Sequence, residues 1–486
     1  MIMRELVPVI LLLILQGQAL EVIKALEHPQ GGEDYCLAED SNPFVLCGSK
    51  TPYVFARGEN LNPGELVPEG CTPQKVWLLA RHGTRYPGNG DILAMQLNLP
   101  QLQEKVIQAQ QDGTGSLCAE DIVELSKWQL GQINITWNSI LAPEGEHELK
   151  NLGMSYKALL PELLNLPFDN KTYQFSDTSD TDFKKSAHSL PLVSGLKGND
   201  RDDTTCAAAS PSNFILLNKN RCYRYGNCQQ QNATTTMANG TFYDGPEMQG
   251  VVASVSSRLG FDVSFVDVEV IYDACRYYKA WEPTLPSAWC AAFTPDDLKI
   301  LEFWQDLKYY YEDGYGHEIN YKIACPLVKD LIHHFRSVTE DGDTTKGVFY
   351  FSHSEALIKM MTRLGLHHDD TPLTHSSIDP DRLWRSSLHA PFGTNVAFTL
   401  SSCSNGGWWV SLAESETPTA IPGCSGGTAG CSWEEFLQVL GPFEDCPFED
   451  MCKLEGCLHS WESISCAVDS IQSSLQSIFA SISKLR

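Results

Sequence analysis

The chain has 486 residues, 42% hydrophobic and 20% charged, a balance that excludes a disordered protein and supplies two or three domains' worth of core. Its formal net charge of −26 argues against nucleic acid or anionic lipid as a partner, and any site for a polyanion must carry its own local cations.

Residues 1–19 read as a signal peptide: Arg4 precedes the apolar stretch Val7–Leu15, and the small residues Gly17 and Ala19 stand where a processing enzyme cuts. That stretch is too short to span a bilayer, and no later one is long and apolar enough, so the mature chain is expected to lack a transmembrane segment. The expected route is the secretory pathway, to the extracellular space or the ER lumen. Seventeen cysteines agree with an oxidising compartment and a disulfide framework, and their odd number leaves one thiol free or intermolecular. The sequons at Asn134, Asn170, Asn232 and Asn239 are glycosylation candidates and favour exposure of those segments.

In chain order, the apolar run Val76–Ala80 reads as a buried strand that stops abruptly at Arg81. Residues 91–345 are mostly helix-like, with apolar residues at helical spacing in Asp121–Leu130, Glu144–Leu160, Met248–Leu259, Pro295–Tyr311 and Cys325–Phe335; Pro295 and Asp296 supply a helix start. The polar stretch Asn199–Asn239 within them reads as a surface excursion. Gly347–Ser352 is a second buried strand, ending at His353, and Arg385–Cys403 returns to strand alternation at Val396, Phe398 and Leu400. Glu414–Gly430 looks like a linker into a stapled end carrying Cys424, Cys431, Cys446, Cys452, Cys457 and Cys466, whose spacing lacks the paired C-x-x-C units of a zinc site. The fold class is α/β: a mostly parallel sheet flanked by helices, with residues 20–90 and 346–413 as one domain, 91–345 as a mainly helical insert and 414–486 as linker and cysteine-rich extension.

In open α/β sheets, ligands bind beyond the carboxyl ends of strands, so two such ends can bring distant side chains into one crevice. The first end carries Arg81-His82-Gly83-Thr84-Arg85-Tyr86-Pro87. Two guanidiniums bracket a histidine there, and arginine forks match phosphate oxygens bidentately. The histidine can donate to the phosphate or attack it through an unprotonated nitrogen. Taken alone this is an anion-binding loop. The second end offers His353 and, two residues on, Glu355, a carboxyl able to protonate the alkoxide that leaves a phosphomonoester; taken alone these two are a helix-capping pair.

The run Arg81–Arg85 followed by Tyr86-Pro87 resembles the signature of the second branch of the histidine phosphatase superfamily, which contains acid phosphatases and phytases. The form His353-Ser354-Glu355 is similar to that of the multiple inositol polyphosphate phosphatases, where ordinary branch members carry His-Asp. Further landmarks are Leu141-Ala142-Pro143-Glu144-Gly145, Gly245-Pro246-Glu247-Met248, Ala288–Phe293, Asp306–Tyr311 and Trp384–Leu388. The resemblance implies the histidine phosphatase fold, His82 as a nucleophile that becomes phosphorylated, Arg81, Arg85 and His353 as phosphate ligands, and Glu355 as general acid. The implied partner is a small phosphorylated substrate, an inositol polyphosphate or bisphosphoglycerate, with no metal and no cofactor.

One departure stands out between Tyr173 and His188. A family arginine position falls on Asp182, another on Ser176, and a shift of two residues puts Lys184 there instead; none restores a guanidinium. That departure keeps open a low-activity, phosphate-binding extracellular protein, beside a general secreted acid phosphatase.

Overall fold

Val76–Ala80 lies within strand β1 (Cys71–Arg81), which shares one sheet with β2 (Tyr173–Asp177), β3 (Gly347–Ser352), β4 (Asn395–Cys403), β5 (Trp408–Glu414), β6 (Thr417–Thr419) and β7 (Cys431–Ser432). The computed structural model describes residues 36–37, 46–57, 66–167, 169, 171–177, 189–197 and 240–452. The signal peptide, Asn170, Asn232, Asn239, Asp182, Lys184, Cys457 and Cys466 therefore lie outside the described residues.

The strand order is β2-β3-β1-β4-β5-β6, with β7 on β5. β1, β3 and β2 run parallel, whereas β4 joins β1, and β5, β6 and β7 follow, through antiparallel pairs. The sheet is thus mixed. The parallel ladder expected from the sequence is confined to the half that carries the two strand ends; short hairpin-like connections after β4 can only produce antiparallel neighbours.

Among the described residues the helices of eight or more residues are α1 (Asn89–Gln111), α2 (Ala119–Lys127), α3 (Pro143–Leu159), α4 (Ser189–Lys197), α5 (Pro246–Leu259), α6 (Phe265–Trp281), α7 (Pro295–Glu312), α8 (Cys325–Thr339), α9 (Ser354–Leu364) and α10 (Trp433–Leu440). Thr294 caps α7 through a reciprocal pair with Asp297, and Pro295 occupies the first helical position, where its missing N–H costs nothing.

Strand alternation sorts the core onto two faces. Trp77, Leu79, Val348, Tyr350, Phe398 and Leu400 pack with α1, α5–α10, while Val76, Leu78, Ala80, Phe349, Phe351 and Ala397 pack with α3 and α4. Helices on both faces bury β3 completely, whereas β2 at the edge is partly exposed at Gln174.

The stretch Glu414–Gly430, expected to be a linker, is instead part of the sheet. Thr417–Thr419 pairs with Leu412–Glu414, and Cys431–Ser432 pairs with Trp409–Val410. Its turn residues, including Gly423 and Gly430 at positive φ, reverse the chain between short strands. Described disulfides join Cys36–Cys118, Cys71–Cys403, Cys275–Cys290, Cys325–Cys446 and Cys424–Cys431. The Cys424–Cys431 bond staples the C-terminal part to itself, as expected, and the Cys325–Cys446 bond also ties it to α8. Cys47, fully buried, is the free thiol among the described residues.

Candidate active site

β1 and β3 are parallel neighbours in register, Arg81 opposite Ser352, so the two strand ends finish side by side. The His82 N–H donates to the Ser352 carbonyl at 3.0 Å, and the His82 and His353 rings meet edge to face with centroids 5.3 Å apart. The sequence thus brings two imidazoles together across some 270 residues of intervening chain.

Past Arg81 the chain turns against the start of α3. A Cβ on Gly83 would meet the Gly145 carbonyl oxygen at 2.4 Å, and one on Gly145 would meet the Thr84 carbonyl oxygen at 2.0 Å, so only two glycines allow this crossing. Ala142 N–H donates to Thr84 O at 2.9 Å, and Thr84 N–H and Oγ1–H both donate to the Glu148 carboxylate, at 2.6 and 2.9 Å. Burial pushes Glu148 up to about 7, against the pull of those two donors. The landmark Leu141–Gly145 is therefore the surface on which the Arg81–Arg85 loop is moulded.

His82 is 2% exposed. Its Nδ1 lies 2.9 Å from the Gly83 carbonyl oxygen, an acceptor only, so Nδ1 carries a hydrogen, and in the neutral ring the lone pair is on Nε2. Arg81, also 2% exposed, donates from Nη1 to the carbonyls of Ser49 and Ala390 at 2.5 and 2.6 Å and lies over the Phe392 ring. Its Nε is buried without a hydrogen-bond partner. A buried N–H left without an acceptor costs about 1–3 kcal/mol, which an anion in this crevice relieves. Burial, with the repulsion of Arg85, brings Arg81 down to about 10, so it stays charged at neutral pH; Tyr309 and Glu355 pull the other way.

Arg85 is half-buried, its Nη1 donating to Tyr86 O at 2.9 Å, while the Trp281 indole N–H donates to Arg85 O. His353 is the N-cap of α9 and Glu355 sits in its first turn, both half-buried. The structure thus gathers Arg81, His82, Arg85, His353 and Glu355 around the ends of β1 and β3. Ser176 lies in β2 opposite Tyr350, one strand removed from β1. Asn134 stands exposed at the start of a short turn, its Oδ1 accepting from the Thr136 N–H and hydroxyl.

Two basic side chains join this set without having been singled out in the sequence. Lys50 is held well below its ordinary pKa by burial and by the charges of Arg276 and Arg81, with Asp273 opposing. Arg276, on α6, is 5% exposed, ion-paired to Asp273, with Nη1 buried and unpartnered. An arginine amid the apolar positions of α6 was the available signal; Lys50 had none. Arg276, Arg81 and Arg85 all repel the charged form of Lys50, so this part of a chain of net charge −26 is locally positive.

The landmarks at Asp306 and Trp384–Leu388 prove to be scaffolding. Asp306 accepts from Arg382 Nε and from the Ser386 N–H at 2.9 and 2.7 Å, and Glu302 accepts from Arg385 at 3.0 Å. This fixes the turn Ser386–His389, which delivers the Ala390 carbonyl to Arg81.

A Drosophila melanogaster protein named multiple inositol polyphosphate phosphatase 1 is 29% identical to the chain over 392 residues, covering 76% of this chain and 80% of that protein. Among solved structures, a phytase from D. castellii superposes with a TM-score of 0.65 at 17% identity, over 85% of this chain and 88% of the phytase. The Bifidobacterium longum multiple inositol polyphosphate phosphatase in complex with inositol hexasulfate gives 0.62 at 16% identity, over 84% of this chain and 100% of that one. The family model described as the histidine phosphatase superfamily (branch 2) matches residues 74–416, which include both strand ends and every side chain gathered around them except Lys50, and the chain belongs to that family.

Proposed function

We propose that the chain is a phosphomonoesterase that removes phosphate from inositol polyphosphates through a phosphohistidine on His82. The observation carrying this reading is the meeting of His82 and His353 at the ends of β1 and β3, with the His82 ring oriented by its Nδ1 hydrogen bond to Gly83 so that, in the neutral ring, Nε2 is the nucleophile. Nε2 attacks phosphorus, the N–P bond forms as the P–O ester bond breaks, and Glu355 gives its proton to the departing alkoxide. Water then attacks the phosphohistidine, returning a proton to Glu355 and releasing inorganic phosphate. Arg81, Arg85 and His353 hold the non-bridging oxygens, because phosphoryl transfer asks mainly for in-line positioning and charge neutralisation. Arg276, and Lys50 once a bound anion favours its charged form, extend the positive region beyond one phosphate, which favours a substrate carrying several. The protein acts in an oxidising compartment, the ER lumen or outside the cell, as its disulfides and leader favour.

Incubation with inositol hexakisphosphate should release phosphate, and an acid-labile phosphoryl group should be trapped on the protein during turnover. His82→Ala should lower the rate by at least about 10³-fold and abolish the trapped label. Binding without release between pH 4 and 8 would refute the enzyme and favour a phosphate-binding protein. Equal rates on hexakisphosphate and on simple monoesters would favour a general acid phosphatase.

A further inference from the structure

The connection between β5 and β6 is strained at both of its positions. Glu414 pairs with Thr417, so Ser415 and Glu416 alone reverse the chain, with φ angles of 46° and 64°. Glycine and asparagine suit such a left-handed turn; serine and glutamate carry a Cβ that opposes it. Glu416 is also fully buried, where a hairpin tip ordinarily meets water. Strain of this kind persists only where the surroundings over-determine it. What holds Glu416 is a chain of hydrogen bonds that leads to the His82 crevice.

Glu416 Oε2 accepts from the Tyr53 hydroxyl, and Arg57 Nη1 stands 3.5 Å from Oε1. The same hydroxyl accepts from Asn395 Nδ2 at 2.9 Å, so its own hydrogen is left for Glu416. Nδ2 also faces the Gly393 carbonyl at 3.3 Å, and Asn395 Oδ1 accepts from the Tyr156 hydroxyl at 2.7 Å, which fixes the amide orientation. Burial and the charge of Glu416 hold the Tyr53 phenol well above its ordinary range, so it keeps that hydrogen.

Asn395 begins β4, two residues after Gly393. The Gly393 N–H donates to the His82 carbonyl at 3.1 Å, and the Thr394 carbonyl accepts from the Arg81 N–H at 2.8 Å. A Cβ on Gly393 would meet the Tyr53 ring at 3.1 Å, so the ring rests against the backbone that grips Arg81 and His82. Tyr53 reaches the same loop a second way: its N–H donates at 3.4 Å to Glu148 Oε1, and the Glu148 carboxylate also holds Thr84.

We infer that Tyr53 is a positioning residue for His82: clamped through its hydroxyl by Glu416, it fixes the Gly393–Asn395 segment and with it the backbone from which the His82 ring is aimed. The inference rests on His82 being the nucleophile. In-line attack tolerates little error, since a displacement of about 1 Å costs about a hundredfold in rate. The Arg81 guanidinium has its own anchors in the Ser49 and Ala390 carbonyls, so loosening Tyr53 affects attack more than substrate binding.

The test uses the full chain and two variants. Tyr53→Phe keeps the ring and removes the hydroxyl, whereas Glu416→Gly removes the carboxylate and suits a positive φ, so the hairpin itself is spared. Each variant, shown by circular dichroism to be folded at the assay temperature, should cleave inositol hexakisphosphate in a single turnover about 10- to 100-fold more slowly than the native chain. KM should stay within about threefold. Glu416→Gln, which keeps an oxygen for the hydroxyl, should recover most of the rate. The double variant Tyr53→Phe/Glu416→Gly should be no slower than the worse single one, because both break one bond. If one variant does not fold, the other carries the test. A lower melting temperature with the native single-turnover rate would overturn the inference, as would losses that multiply in the double variant. A native chain that forms no phosphohistidine removes the nucleophile and this inference with it; a labelled native chain beside unaffected variants removes this inference alone.

Discussion

Glu355 stands in the first turn of α9, half-buried, where its charge helps keep Arg81 protonated and adds to the upward shift of Glu312. If its task is to protonate the leaving oxygen, its worth depends on how badly that oxygen needs a proton. Glu355→Gln should therefore slow hydrolysis of an inositol phosphate about 10²- to 10⁴-fold while costing an activated aryl phosphate far less. Steady-state rates on both substrates check this, and equal losses would remove Glu355 from the role. The residue types at this site were legible because chemistry restricts them: only a few side chains bind phosphate, attack it or protonate an alkoxide. Lys50 was not legible, since a lone lysine in a surface-like stretch carries no pattern; what qualifies it is the three-dimensional company of Arg81, Arg85 and Arg276.

Among the elements, the crossing of the Arg81–Arg85 loop over the start of α3 has a measurable price in Glu148. Its pKa is raised from an ordinary 4.5 to about 7 by burial, so between those values the folded chain binds more proton there than the unfolded chain does. The contribution of this group to stability accordingly falls as pH rises through that window, by up to about 3 kcal/mol. Glu148→Gln keeps an oxygen for the Thr84 N–H and removes the charge. Denaturant unfolding at pH 5 and pH 7 should show a smaller pH effect in the variant than in the native chain.

The same scale explains which elements the sequence revealed. The strands β1, β3 and β4 and the helices α2, α3, α5, α7 and α8 were recoverable from periodicity. Neither α1 nor α6 was. Pro100 interrupts the pattern of α1, although Ile92, Met95, Leu99, Leu102 and Val106 line its buried face. In α6 the buried residues surround the axis, from Val268 and Ile271 to Tyr277 and Trp281, so no single stripe remains to be seen. The strands β6 and β7 were missed because three- and two-residue strands are too short for alternation to register.

Over the whole molecule, the Cys71–Cys403 bond closes the longest described loop, with a sequence separation of 332, at the end of β1 opposite the site. Ten residues of strand, about 33 Å, separate Cys71 from Arg81. Replacing both cysteines with serine should lower stability by about 2–5 kcal/mol, seen as a lower melting temperature. The rate of phosphate release at 25 °C should stay near that of the native chain. A large loss of activity in a folded variant would mean that the strand transmits strain along its length.

The dependence of Arg81 on the Ala390 carbonyl, 309 residues further along, bears on how the protein is made. A ribosome delivers the Arg81–Arg85 loop early, with β1, and for most of translation that loop has neither its parallel partner β3 nor the turn that aims its guanidinium. The nascent chain therefore carries His82, the proposed nucleophile, long before it carries the crevice around it. Turnover begins only when nearly all of the family-matched segment has emerged and closed the sheet, which makes catalytic competence a late event in the protein's own biosynthesis.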